Sequence, residues 1–185
     1  MAKILIKAGG QVFLNRINLR GSSCLHASCH QGRLSIVKAL IKAGGQALVL
    51  KADREGYSCL HISCGKGYLG ITKVLINAGG KAVVFITSNQ GGLCLHAACH
   101  LGHLAITKAL FEAGGESLLL KTENEFHHSC LHIASTSPLW NFSSLNHARV
   151  LLAYGTALAT RRWTLLWARG IQTWSMSSGP LQADP

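Results

Sequence analysis

The sequence predicts an all-α solenoid, built from stacked helix–turn–helix units that are joined by extended, hairpin-like links. The first observation is a repeat, because Gly21, Gly56 and Gly91 follow one another at intervals of 35 residues. The blocks that start there read Gly-Ser-Ser-Cys-Leu-His-Ala-Ser-Cys-His, Gly-Tyr-Ser-Cys-Leu-His-Ile-Ser-Cys-Gly and Gly-Gly-Leu-Cys-Leu-His-Ala-Ala-Cys-His. A fixed period of this length is typical of solenoid proteins. The second observation is the composition: 48% of the 185 residues are hydrophobic and 14% are charged, which allows a packed core and excludes a disordered chain.

Two helical patterns occupy each block. The first is short, and in the first block its small or apolar residues include Leu25, Ala27 and Cys29. The second is amphipathic, because apolar residues recur three and four positions apart. In the three blocks the second pattern covers Leu34–Gly45, Leu69–Gly80 and Leu104–Gly115. The glycine pair at its end is expected to stop the helix, since glycine accepts a left-handed backbone. The residues that follow, Gln46–Glu55 in the first block, are expected to form an extended link with a turn.

The chain divides into four segments on this register. Residues 1–20 are interpreted as a partial repeat, 21–125 as three complete repeats, 126–160 as a distorted fourth repeat and 161–185 as a poorly structured tail. Ala2–Gly10 aligns with Val37–Gly45, the later half of a repeat, so the chain is expected to open inside a repeat. The fourth block, Ser129–Ala134, arrives one residue late, and an insertion that contains Pro138 follows it. We therefore expect a fragment or a degraded copy of a longer array.

These blocks resemble the ankyrin repeat, whose signature is Gly-x-Thr-Pro-Leu-His-x-Ala, followed by a glycine and a leucine-rich second helix. The resemblance covers the chain up to about Gly155. The signature leucine is matched by Leu25, Leu60, Leu95 and Leu131, the histidine by His26, His61, His96 and His132, and the mid-repeat glycine by Gly32, Gly67 and Gly102. The resemblance implies structural roles for all of them, with each histidine bonding to turn backbone and tying adjacent repeats together.

Three departures from the signature are visible. Cysteine replaces the usual proline throughout, at Cys24, Cys59, Cys94 and Cys130. Serine stands in the threonine position in most blocks and can cap the first helix, but Leu93 replaces it in the third block. The period is 35 residues instead of about 33, and the extra residues are expected in the link between repeats.

The resemblance also implies where a partner would bind. Ankyrin proteins typically bind other proteins on a concave face made by the first helices and the tips of the links. The implied first-helix positions are Ala27, His30 and Gln31; Ile62, Gly65 and Lys66; and Ala97, His100 and Leu101. The implied tips are Asp53 and Arg54, Ser88 and Asn89, and Glu123 and Asn124. Most of these positions differ between blocks while the scaffold positions repeat, so the fold alone does not dictate them.

The Cys-Leu-His unit could also be interpreted as a catalytic or metal site. A nucleophile–base pair would occur once, in a pocket, whereas this unit is copied four times and is better explained as scaffold. Cys24 and Cys29 are five residues apart and so lie on different faces of a helix, and equivalent cysteines of neighbouring repeats should be about 10 Å apart, too far for zinc. His26 with His30, and His96 with His100, have a spacing that can chelate a metal, but the structural role claims one histidine of each pair. We therefore predict no catalytic residue, no metal, no cofactor and no enzyme activity.

The charge leaves a second kind of partner open. The formal net charge is +11, and Lys3, Lys38, Lys73 and Lys108 share one repeat position on the outer face of the second helices. Such a stripe can bind nucleic acid weakly, although no aromatic residues alternate with these lysines. The leading prediction is a protein–protein interaction scaffold without a small-molecule substrate. The alternative is a targeting segment of a larger enzyme or channel.

Cysteine usage and hydropathy bear on the compartment. The chain has seven cysteines, and its start lacks the apolar core of a secretory signal. An odd cysteine count in that setting favours free thiols in a reducing compartment, the cytoplasm or the nucleus. No uninterrupted apolar run reaches the length of a membrane span, so membrane insertion is not expected.

Overall fold

The computed structural model describes residues 14–118 together with Gly10, Lys121 and Cys130. All of them belong to the first of two compact units of the chain, Met1–Ala148, and the second unit, Arg149–Pro185, lies outside the described residues. Between residues 14 and 118 there are six α-helices and no strand longer than an isolated bridge. The helices are α1 (Cys24–His30), α2 (Leu34–Val49), α3 (Cys59–Gly65), α4 (Leu69–Val84), α5 (Cys94–His100) and α6 (Leu104–Gly114), and a 3-10 turn covers Glu116–Leu118.

The six helices form two layers of three. The short helices α1, α3 and α5 pack against one another in sequence, and so do the longer helices α2, α4 and α6. Each short helix also packs against the longer one that follows it. The signature leucines Leu25, Leu60 and Leu95 are fully buried at the same position of each short helix. This arrangement confirms the prediction of an all-α array of helix–turn–helix units.

In the first two blocks the glycine pair introduces a kink instead of ending the helical segment, whereas α6 ends at Gly114 as predicted and only a 3-10 turn follows. In α2 the backbone of Gly45 has φ 61° and ψ −160°, yet helix resumes and continues to Val49. A Cβ on the preceding Gly44 would lie 2.7 Å from Leu48 Cδ2, so the first glycine of the pair lets this extra turn fold back closely. Leu48 and Val49 are buried as a result. The prediction of an extended link beginning at Gln46 is therefore wrong for its first half, which is helical and buries Leu48 and Val49 in the core.

In the links that the structure describes, the part just before each short helix is a short hairpin-like finger, as predicted. Isolated antiparallel bridges close the fingers between Ile17 and Ser23, between Ala52 and Ser58, and between Thr87 and Leu93. The turn of each finger contains a glycine with positive φ, for example Gly56 at 82°. The fingers place the start of every short helix at the same point in its block.

Several predicted features lie outside the described residues. They are residues 1–9 and 11–13 of the partial repeat, the distorted fourth repeat apart from Cys130, and the tail. The predicted positions Glu123, Asn124, Leu131 and His132 also lie outside the described residues. The division of the chain at 20, 125 and 160 remains a prediction.

Candidate partner-binding surface

The signature histidine joins each repeat to the next one. His26 is buried at the start of α1, where its Nδ1 accepts the backbone N–H of Ser23 at 3.1 Å. Its Nε2 lies 3.2 Å from the carbonyl oxygen of Tyr57, in the finger of the following repeat. Because Nδ1 accepts a hydrogen bond, Nε2 must carry the proton and donate to that carbonyl. One ring therefore fixes both the start of a helix and its distance from the next finger.

The next two blocks repeat the bond to the helix start. His61 Nδ1 accepts the N–H of Ser58 at 3.2 Å, and its Nε2 donates to the carbonyl of Gly92 at 3.1 Å. His96 Nδ1 accepts the N–H of Leu93 at 2.9 Å, although Leu93 has no hydroxyl. Where a serine is present it adds to this bond, because the hydroxyls of Ser23 and Ser58 lie 2.8 and 2.9 Å from Nδ1 of His26 and His61. The third block keeps the bond without a hydroxyl. The histidine is thus the constant element of the helix start.

Burial favours the neutral form of His26 and His61. Desolvation lowers the pKa of His26 and of His61 below the ordinary value of 6.5, and the carbonyl partners Tyr57 and Gly92 and the charge of Asp53 offset it only in part. Both nitrogens of each ring are bonded to the scaffold, so neither ring is available as a general base in this conformation.

The fingers hold their own shape through one side chain each. Asp53 Oδ1 accepts the N–H groups of Glu55 and Tyr57 at 3.0 and 2.9 Å. Asn18 has the same role in the preceding finger, and Ser88, which is 7% exposed, accepts the Gly92 N–H in the following finger. Of the predicted tip residues, Asp53 and Ser88 therefore shape the turn.

The tips are also connected to one another through the backbone. The Arg54 N–H donates to the carbonyl of Arg20 at 3.0 Å, and the Asn89 N–H donates to the carbonyl of Glu55 at 2.9 Å. The Asn89 amide adds a bond to the Arg54 carbonyl at 2.9 Å. Arg54 and Asn89 remain exposed, so the two predicted tip positions that face solvent stand on a bonded framework.

The predicted first-helix positions share one side of the short-helix layer. Their exposure differs: Ala27, His30, Gln31, Lys66, His100 and Leu101 are exposed, whereas Ile62, Gly65 and Ala97 are half-buried. Because α1, α3 and α5 pack side by side, these positions form one continuous surface. We call these positions, together with the exposed tip residues Arg54 and Asn89, the first-helix surface. Whether a partner binds there stays a prediction.

Reasoning from the sequence left out some residues of the tip region. Arg20, Glu55 and Gln90 occupy one repeat position, are all exposed and differ in every block. An open cleft of about 180 Å³ between the second and third fingers is lined by Glu55, Tyr57, Asn89 and Gln90. The same variation between blocks that marked the neighbouring position would have indicated these residues as well.

Cysteines of neighbouring short helices influence one another, which reasoning from the sequence did not consider. Burial and then Cys29 of the preceding repeat raise the pKa of Cys59 well above its ordinary value, and Cys64 together with burial does the same for Cys94. Among the described residues, no three or more histidine, cysteine or acidic side chains are grouped so that they could hold a metal ion.

Comparison with known proteins agrees with this geometry. Residues 1–85 match the family model described as ankyrin repeats (3 copies), so this part of the chain consists of ankyrin repeats. The third block, beyond the matched residues, has the same pair of helices and the same bond from its histidine to the helix start. No curated protein matches the chain.

Ankyrin repeats generally serve as protein–protein interaction modules. Among the residues that the structure describes, none of the helices has the length and apolarity needed to cross a membrane.

Proposed function

We propose that this chain is a protein–protein interaction scaffold that binds its partner on the first-helix surface. One observation carries the proposal: the buried positions of the repeat are constant, while exposed positions beside them change from block to block. At the position of Leu25 each of the three described blocks has a buried leucine, whereas the position of Gln31 holds Lys66 in the second block and Leu101 in the third. A surface that varies on a constant scaffold is what partner recognition requires.

The charges of this surface suggest what the partner offers in return. The helices α1, α3 and α5 contain no acidic residue, and the exposed polar groups at their ends are His30, Gln31, Lys66 and His100. Small apolar side chains, Ala27 and Ala97, lie on the same surface. We therefore expect the contacting segment of the partner to be neutral or acidic, since like charges would oppose association.

The experiment compares two faces of the same array. The full chain captures partners that mass spectrometry identifies, and their affinity is then measured for the double variant Arg54→Glu/Lys66→Glu. The matched control is Lys38→Glu/Lys73→Glu, which makes the same charge change at exposed positions of α2 and α4. We expect the first variant to raise Kd by about tenfold or more, equivalent to about 1.4 kcal/mol, and the control to leave it nearly unchanged. Loss of binding in the control alone would refute the proposal.

We further propose that the chain does no chemistry and works inside the cell. Two of the three described signature histidines, His26 and His61, use both ring nitrogens in scaffold bonds, which argues against a role for them in catalysis. The thiols of six cysteines form no disulfide, a state that a reducing compartment maintains: Cys24, Cys29, Cys59, Cys64, Cys94 and Cys99. We propose neither a cofactor nor a small-molecule substrate for the chain.

Nucleic acid is the second candidate partner, on the opposite layer of helices. Lys38, Lys73 and Lys108 are exposed at one position of α2, α4 and α6, and α2 and α4 contain no acidic residue. Three or four phosphate contacts would give a slope of about −3 to −4 when log K for duplex DNA is plotted against log salt. Here Lys38→Glu/Lys73→Glu should abolish binding, while Arg54→Glu/Lys66→Glu should spare it, so the same two variants separate the two candidates.

A further inference from the structure

The gap between the second and third fingers is a small open cleft, which we call the finger cleft. Its volume is about 180 Å³, and Glu55, Tyr57, Asn89 and Gln90 line it. That volume is equivalent to about six water molecules, well below the roughly 300 Å³ at which pockets for drug-sized ligands begin. The finger cleft therefore fits one long side chain of another protein better than a whole small molecule.

Hydrogen bonds fix the walls of the finger cleft. Asp53 Oδ1 accepts the N–H groups of Glu55 and Tyr57 in the second finger. The Glu55 carbonyl accepts the Asn89 N–H at 2.9 Å, and the Asn89 amide donates to the Arg54 carbonyl at 2.9 Å, so the two fingers are joined. The lining side chains thus stand on a preformed framework, and little further ordering of this chain opposes binding.

The charge and the ring in the finger cleft favour a cation. Asp53 and Glu55 are the only acidic residues in positions 1–111, and of these two Asp53 is half-buried in its turn while Glu55 is exposed in the cleft. Tyr57 is 37% exposed, and its ring meets that of His61 edge-on at 5.7 Å between centroids, which restricts its orientation. A carboxylate beside an aromatic ring binds cations through an ion pair and a cation–π contact.

The two amide side chains narrow the choice of cation. Because Asn89 Nδ2 already donates to the Arg54 carbonyl, Oδ1 is the amide atom that can accept a hydrogen bond from a ligand. Gln90 adds a second, exposed amide. An arginine guanidinium can pair with a carboxylate, donate to an amide oxygen and stack on an aromatic ring at once, whereas a lysine ammonium is a compact point charge. The lining of the finger cleft therefore favours arginine over lysine.

The equivalent gap between the first and second fingers has the opposite character. It has the same backbone bond, from the Arg54 N–H to the Arg20 carbonyl. However, Arg20 stands at the position of Glu55, and Ser22 stands where the finger cleft has its aromatic ring. The Arg54 side chain lies toward this gap, since its Cγ is 3.0 Å from the place of a Cβ on Gly21. The framework therefore does not require an acid or a ring, and the neighbouring arginine leaves the finger cleft open.

We propose that the finger cleft binds one arginine side chain of the partner protein, with the guanidinium paired to Glu55 and stacked on Tyr57. This inference rests on the proposed function, because the arginine belongs to the partner that the first-helix surface holds. It also gives the bound segment a direction. Lys66 follows α3, whose seven residues span about 10 Å, so the arginine lies at the finger end of the segment. The neutral or acidic part lies toward Lys66, about three or more extended residues away.

The direct test uses the isotope-labelled full chain and N-acetyl-arginine amide, followed through backbone amide signals by NMR. We expect saturable shifts at the residues of the finger cleft, with a Kd in the millimolar range. N-acetyl-lysine amide should bind more weakly, and N-acetyl-glutamate amide should give no saturable shift there. The proposal is overturned if the arginine amide shifts none of these signals, or if either of the other two amides binds equally well.

Variants of the lining residues make the assignment specific. Glu55→Gln should weaken binding of the arginine amide about threefold or more, because it removes the charge and keeps the size and the backbone bonds. Tyr57→Ser should weaken it as well, since serine stands at that position in the preceding block. The matched control is Glu112→Gln, the same charge change at an exposed position of α6, which should leave Kd unchanged. Equal weakening by Glu55→Gln and by the control would also overturn the proposal.

The captured partner separates this inference from the proposed function. Glu55→Gln should raise the Kd of the partner about threefold or more, and replacing the bound arginine of the partner should remove that difference. If the partner responds to Arg54→Glu/Lys66→Glu and ignores Glu55→Gln, the finger cleft alone is refuted. If the partner responds to Glu55→Gln and ignores Arg54→Glu/Lys66→Glu, the first-helix surface fails and the arginine site stands.

Discussion

His26 Nε2 donates a hydrogen bond of 3.2 Å to the carbonyl oxygen of Tyr57, which lies 31 residues further along the chain. His61 makes the corresponding bond to Gly92, again 31 residues on. Each of these two short helices, α1 and α3, is therefore held at its start by a finger that belongs to the next repeat. Stability in this array should depend on contacts between neighbours at least as much as on any single repeat.

Replacing His61 with leucine should destabilise the protein strongly. The change leaves the fully buried Ser58 N–H and the carbonyl of Gly92 without their partners and removes the edge-to-face contact with Tyr57. We expect a loss of about 2–4 kcal/mol in the free energy of unfolding, measured from the urea midpoint. The control is His30→Ala at the exposed end of α1, which should change it by less than about 0.5 kcal/mol. Equal losses for the two variants would contradict the role assigned to His61.

Stability should fall on both sides of a plateau between pH 6.5 and 9. The native pKa values of His26 and His61 are lowered by burial, so below 6.5 the unfolded chain binds more protons than the native one, and the free energy of unfolding decreases. The pKa values of Cys59 and Cys94 are raised, so above 9.0 the unfolded chain loses protons first, and it decreases again. Urea midpoints from about pH 5 to about pH 10 measure this. His61→Gln should reduce the acid slope, and an unchanged slope would exclude His61 as its source.

Gly45→Ala should destabilise the chain although the added methyl has room. No atom lies within 4 Å of its Cβ, but φ 61° with ψ −160° is a conformation that essentially only glycine adopts. The expected loss is about 1–3 kcal/mol, visible as a lower Tm. The matched control is Gly70→Ala in α4, where the nearest atom to the added Cβ is Leu34 Cδ2 at 3.6 Å. That change should be neutral or stabilise by up to about 1 kcal/mol, because alanine favours helix over glycine. The reverse order of the two variants would contradict the kinked geometry.

Asp53→Ala should loosen the second finger, and Asp53→Asn should restore it. The carboxylate accepts the N–H groups of Glu55 and Tyr57, and alanine offers no acceptor for them. We expect a loss of about 1–2 kcal/mol and faster amide exchange at both residues. The chain supplies its own precedent for rescue, because Asn18 accepts two equivalent N–H groups at 2.9 Å in the first finger. A variant with asparagine that is as unstable as the alanine one would indicate that charge, and not the turn bonds, matters at Asp53.

The fold was predictable because its determinants are local and recur. The 35-residue spacing of glycines and the amphipathic second segment each reflect a backbone or packing requirement that every block must meet. The helical turn ending at Val49 was not predictable in the same way. Its residues follow a glycine pair, which normally ends a helix. The packing of Leu48 against Gly44 favours a kink followed by another helical turn over a helix end.

The residues of the candidate surface could likewise be predicted only in part. Variation between blocks indicated positions such as His30, Lys66 and Arg54, which are exposed. It could not distinguish them from Asp53 and Ser88, because a polar side chain that accepts turn N–H groups also varies among asparagine, aspartate and serine. The influence of Cys29 on the pKa of Cys59 depends on the offset between stacked repeats, which emerges only when the helices are packed.

The offsets of the bonds between repeats have a consequence for how such a gene can change in length. The histidine bonds span 31 residues and the tip bonds, from Arg20 to Arg54 and from Glu55 to Asn89, span 34, both less than one period of 35. Duplicating or deleting a whole block therefore connects every donor to an equivalent acceptor, and no new interface has to evolve. The insertion or deletion of one or two residues inside a block would instead misalign the bonds between that block and its neighbour. Selection on this array should accept unequal crossing-over far more readily than small frame-preserving insertions.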